Sequence, residues 1–150
     1  MKKIFTKLIL IILLGLLFIR CDKDKDELIH MEGYIVGYDP CTVRPPYNRS
    51  KVGYIIISED LKDTLTTYSL SDNGIMMPAI VVFNSDTLYE IPALYFNREW
   101  PFFSETLRYK YGVKISYSIP NENEMVYLAC TTDIIRINFD QIIIKSATKN

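Results

Sequence analysis

YKYGVKISYSI, residues 109–119, alternates with a period of two. Tyr109, Tyr111, Val113, Ile115, Tyr117 and Ile119 fall on one side, and Lys110, Lys114, Ser116 and Ser118 on the other. That is the pattern of a strand with one face on a core and one toward water. PNENE (120–124) supplies a polar turn, and MVYLACT (125–131) reads as the strand that returns antiparallel to it. FDQIIIKSA (139–147) is a last strand before a short polar tail.

Working back from this hairpin, TLTTYSL (64–70) and VGYIIIS (52–58) form another, joined by a polar turn over 59–63. The apolar, β-branched 52–58 run predicts burial on both faces. EGYIVGYD (32–39) places Tyr34, Val36 and Tyr38 on one face and Ile35 on the other. Its interior glycines, Gly33 and Gly37, predict a coiled or bent strand. TVRPPYNRS (42–50) is a loop, because paired prolines cannot donate to a ladder and Asn-Arg-Ser is turn chemistry. Residues 79–83 and 87–91 repeat the hairpin pattern around Asn84-Ser85-Asp86, after a loop at 71–78.

PALYFNREWPFFSETL (92–107) breaks this rhythm. Pro92 suits the first turn of a short helix, and Pro101 ends or prevents a longer one. Tyr95, Phe96, Trp100, Phe102 and Phe103 crowd this segment, and two readings stand. Tyr95, Trp100, Phe102 and Phe103 form an exposed platform for a glycan or partner, or the rings plug an open end of the fold. Six to eight short strands with one irregular insert predict an all-β protein. The expected form is a small antiparallel β-barrel, OB-like, with an immunoglobulin-like β-sandwich as the alternative. Nothing between 32 and 150 resembles a repeat or a domain-sized linker, so that span is expected to be a single β-domain.

The N-terminus carries the address. MKKIFTKLILIILLGLLFIRCDKDKDE (1–27) opens with Lys2, Lys3 and Lys7, then an unbroken apolar run from Leu8 to Ile19. That length fits a secretory h-region and falls short of the roughly 20 residues needed to span a bilayer. Cys21 closes the run and charged residues follow. This order resembles a bacterial lipoprotein signal, which implies that 1–20 is a signal peptide and that Cys21 receives the acyl chains (palmitate among them). It departs from that pattern at Arg20, where a small residue is usual. The alternative is an uncleaved anchor over Ile4–Ile19, about 24 Å of helix. Residues 21–31 read as an acidic tether, and Asp22, Asp24, Asp26 and Glu27 resemble the export tag of Bacteroidota surface lipoproteins. That resemblance implies outer-membrane, lipid-anchored placement on the periplasmic or cell-surface face. Asp-Thr-Leu at 63–65 and again at 86–88 resembles the O-glycosylation sequon of the same group, with Thr64 and Thr87 as acceptors. Turn-then-strand chemistry explains both triplets equally well. The whole chain is similar to small Bacteroidota envelope lipoproteins with a compact β-domain.

With Cys21 lipidated, Cys41 and Cys130 remain. In an oxidising compartment they are expected to form a disulfide, closing a loop of 88 residues. Such a loop is worth roughly 4–5 kcal/mol by the chain-entropy model. A metal site would need three or four ligands, with only His30 to add; free buried thiols are the third possibility. Residues 1–20 hold four of the seventeen Lys and Arg and none of the eighteen Asp and Glu, leaving a net charge of −5 (13 against 18). That disfavours a nucleic-acid partner, which needs a basic face to displace counterions from phosphate, so none is expected.

No P-loop, dinucleotide fingerprint, HExxH or CxxC occurs. Glu59/Asp60 and Glu122/Glu124 lie in turns, Asp39 in GYDPC is turn chemistry, and His30 sits at the tether boundary, remote from a preorganised triad. Neither a catalytic residue nor a metal or cofactor is expected. The expected function is a lipid-anchored envelope protein whose non-catalytic domain is a protein-binding or assembly module. The alternative is a glycan-binding surface lipoprotein using the aromatics of 95–103.

Overall fold

The computed structural model describes residues 27–43, 52–70, 79–92, 95, 100–128 and 138–150. Among the described residues there are seven strands: β1 (Ile29–Tyr38), β2 (Tyr54–Ser58), β3 (Thr64–Thr67), β4 (Ala79–Phe83), β5 (Asp86–Ile91), β6 (Gly112–Ser118) and β7 (Asp140–Lys149). A one-turn helix, α1 (Pro40–Val43), follows β1, and a 3-10 turn spans Glu105–Leu107. Five strands close into a barrel in the order β1-β2-β3-β7-β6, with β6 hydrogen-bonded back onto β1. β4 and β5 form a separate two-stranded sheet. The small all-β barrel expected from the sequence is therefore the fold, and the sandwich alternative falls away because the main sheet closes on itself through the β6–β1 pair.

Two details of pairing differ from the sequence reading. The barrel is not wholly antiparallel, since β3 and β7 run parallel from Leu65↔Asp140 to Thr67↔Ile142. The antiparallel neighbours of β6 are β1 and β7 rather than residues 125–131. Residues 125–128 form no strand, and 129–131 lie outside the described residues. Alternation marks β6 as a strand with a buried face, but it does not name the partner. In place of a ladder, Gln141 bonds both backbone groups of Val126. Its Oε1 accepts from the Val126 N–H at 2.9 Å and its Nε2 donates to the Val126 carbonyl at 2.8 Å.

The facing of β1 also differs, for a local reason. The register slips between Ile35 and Gly37 against β2, leaving Val36 as the extra residue of a bulge. Ile35 and Tyr38 both join the core as a result, although they are three apart. Tyr34 turns outward, edge-on to Tyr109 at 5.2 Å. β1 begins at Ile29, so residues 29–31, read as tether, already belong to the barrel.

Tyr54, Ile56, Leu65, Val113, Ile115, Tyr117, Ile142 and Ile144 fill the interior with Ile35 and Tyr38. The alternation over 109–119 holds from Tyr111 to Tyr117, while Tyr109 and Ile119 at its ends are exposed. The β4–β5 hairpin turns through Asn84 and Ser85, both at positive φ (48° and 73°), the geometry that matches hairpin twist. Its Val81, Leu88 and Ile91 close over the same core, the Val82 N–H reaching the Leu70 carbonyl at 2.9 Å. Tyr54 is fully buried and its hydroxyl has no hydrogen-bond partner. Burial pushes that phenol well above its usual range, so it stays neutral and packs as a large apolar group.

Candidate functional site

Residues 101–103 lie against the C-terminal end of β1 like a short added strand. The Tyr38 N–H donates to the Pro101 carbonyl at 2.9 Å, and the Phe103 N–H donates to the Val36 carbonyl at 2.8 Å. Between them Gly37 faces Phe102 across an isolated bridge. A Cβ on Gly37 would overlap the Pro101 carbonyl oxygen and come within 3.0 Å of Phe102 Cα. The glycine that read as a bend marker in the sequence is what lets this segment approach.

Strand-like alternation then sends neighbouring rings opposite ways. Phe103 points inward, 1% exposed, among Tyr38, Tyr95 and Tyr111 at centroid distances of 6.4, 6.4 and 6.0 Å. Phe102 points outward and is half-buried. It meets Trp100 and Phe139 at 6.0 Å each, and the Arg108 guanidinium carbon lies 5.8 Å from its ring centre. Trp100, the single tryptophan of the chain, is 51% exposed. The rings of this segment divide. Phe103 packs inward with half-buried Tyr95, Trp100 and Phe102 form an outward ledge, and Phe96 lies outside the described residues.

The ledge borders two grooves. The smaller, about 220 Å³, runs over Val36 of β1, Ile57 of β2 and Thr64 of β3, beneath Trp100, Phe102 and the Arg108-Tyr109 pair. The larger, about 440 Å³, shares Trp100, Phe102 and Arg108 with it and adds Glu105 among its lining residues. Arg108 and Tyr109 were missed as site residues. Tyr109 fits the β6 alternation by number, yet it precedes the strand and stands 55% exposed. Their position directly after the aromatic segment was the available signal.

No family model, curated protein or solved structure matches this chain. What the domain does has to be read from the geometry of its surface.

The groups that chemistry would need are dispersed. Asp60 is exposed, and hydrogen bonds from the Lys62 side chain and the Ser58 hydroxyl hold its carboxyl at about 2, too low to donate a proton near neutrality. Glu124 accepts from the Asn121 backbone and side-chain amides at 3.0 and 2.6 Å, which is turn chemistry. Asp39 accepts from the Cys41 N–H at 2.9 Å and from the Tyr68 hydroxyl at 2.8 Å, tying α1 to the barrel. His30 lies on β1, not in a tether. Its Nδ1 is 2.9 Å from Ser116 Oγ, which also accepts from the Ser146 hydroxyl at 2.9 Å. Among the described residues no carboxylate is hydrogen-bonded to the imidazole of this exposed chain to orient it. Among the described residues no cluster of three His, Cys, Asp or Glu side chains could hold a metal ion.

Cys41 is buried and disulfide-bonded; Cys130, its expected partner, and Cys21 lie outside the described residues. Thr87 is exposed, whereas Thr64 is half-buried and lines the smaller groove. Of the two possible glycan acceptors, Thr87 is the more accessible.

Proposed function

We propose that this protein is a lipid-anchored component of a bacterial outer membrane whose non-catalytic barrel is a binding module. Cys21 carries the lipid, residues after it act as a tether, and Cys41 pairs with Cys130. The observation that carries the binding reading is the exposure of Trp100 on a rigid support. A large aromatic side chain costs free energy when left in water. Here it is held out by a segment that is hydrogen-bonded to β1 and anchored in the core by Phe103. Flat rings fixed beside a charge are the usual makings of a contact hot spot. The protein-binding reading needs only this much; the glycan reading is favoured by a ring ledge beside a shallow groove.

A photo-crosslinking residue placed at position 100, in the protein's own cell envelope, is expected to yield adducts. The same residue at the exposed Lys145 on β7 is expected to yield none. Equal labelling at both positions, or none at 100, would remove the ledge as the contact surface.

A further inference from the structure

We infer that the ledge takes an acidic glycan: one pyranose ring stacks on Trp100 and its carboxylate is held by Arg108. This rests on the ledge being the contact surface and adds the ligand class. The smaller groove is lined by Val36, Ile57, Thr64, Trp100, Phe102 and Tyr109, with Arg108 as its single charged side chain among the described residues. Among the described residues this groove holds one cation and no carboxylate, a local inversion of charge in a chain whose residues 21–150 are net negative. Glu105, the nearest described acid along this segment, lines only the larger groove, which also has Arg108 in its wall.

Arg108 is also set for an anion. Its guanidinium lies beside the Phe102 ring. The Nε is closed to solvent and has no hydrogen-bond partner among the described residues, so the outer N–H groups of this half-buried side chain are the ones an anion in the groove would meet. The planar fork suits a carboxylate in particular, because two parallel N–H···O bonds can form at once.

Other occupants fit less well. The five barrel strands are all paired on both sides, and the added segment at 101–103 is three residues long, too short an edge for an extended peptide to pair with along several residues. An oligonucleotide draws its affinity from several phosphate contacts, and one guanidinium cannot supply them. A sugar ring needs only a flat apolar face and one polar anchor.

The test uses the full processed chain in detergent, with Trp100 emission as the readout and trigalacturonate as the probe. Saturable binding is expected, with neutral galactotriose weaker by about tenfold or more, and a similar loss in Arg108→Gln. Arg108→Lys keeps the charge without the fork and is expected to fall between wild type and Arg108→Gln. Thermal unfolding of both variants confirms that the barrel is intact. A sulfated trisaccharide distinguishes a carboxylate site from a general anion site; tighter binding of the sulfated sugar would overturn the carboxylate assignment. Equal binding of acidic and neutral sugars, or an unchanged Arg108→Gln, would overturn anion recognition while leaving crosslinks at position 100 as evidence for the ledge. Preference for an acidic peptide or a single-stranded oligonucleotide would overturn the glycan class, and so would failure of every sugar to bind at millimolar concentration.

Discussion

Phe103→Ala is expected to lower stability by about 3–5 kcal/mol, the range for deleting a buried phenylalanine ring. The side chain is 1% exposed and fills the space between Tyr38, Tyr95 and Tyr111. Those neighbours belong to β1, the aromatic segment and the approach to β6, so the cavity cannot collapse without moving the barrel wall. Because single domains are stable by only about 5–15 kcal/mol, the variant is expected to be marginal at 37 °C. Denaturant unfolding of wild type and variant under one condition gives the difference directly. Trp100→Ala, three residues away, is the contrast. Half its surface is already in water, so its stability cost is expected to stay near 1 kcal/mol. A Phe103→Ala cost as small as that of Trp100→Ala would mean that the segment is not docked as described.

The second large effect is expected at Gly37. The added methyl of Gly37→Ala meets backbone rather than the movable end of a side chain, namely the Pro101 carbonyl and Phe102 Cα. Relief requires the 101–103 segment to lift, losing the hydrogen bonds from Tyr38 to Pro101 and from Phe103 to Val36. A cost of about 3 kcal/mol or more is expected, at the upper end for overpacking. The change is also expected to reach the ledge, since Trp100 and Phe102 ride on the lifted segment. Trp100 emission should shift in the folded variant. Gly112→Ala is the control, because its added methyl meets only the Asn150 Cβ at 3.0 Å and the Tyr34 ring at 3.7 Å. If both alanines cost the same, the close approach of Pro101 to Gly37 is not what holds the ledge.

Much of the barrel was legible because period-two alternation is a local signal. Val113, Ile115 and Tyr117 face the core as their spacing requires, and the 52–58/64–70 hairpin forms with β2 and β3 trimmed at their ends. Partners were less legible, because a buried face can pack under any neighbour of suitable register. The parallel β3–β7 pair joins segments 75 residues apart, and no local pattern announces it. The inward pair Ile35 and Tyr38 was hidden by the bulge at Val36, which shifts the alternation by one. At the ledge, composition identified the aromatic segment but could not divide it. The outward turn of Trp100 and Phe102 and the inward turn of Phe103 follow from the Pro101 and Phe103 backbone bonds to β1, which are tertiary. Arg108 gained its place only when folding set it beside Phe102.

The proposed lipid anchor is tested most directly by the intact mass of the chain, produced in a Gram-negative bacterium and extracted with detergent. The account predicts the mass of residues 21–150 with diacyl or triacyl lipid, rising by two hydrogens on reduction as the Cys41–Cys130 bridge opens. Recovery of all 150 residues without lipid would contradict it, leaving Cys21 a third thiol and the lipid anchor without foundation.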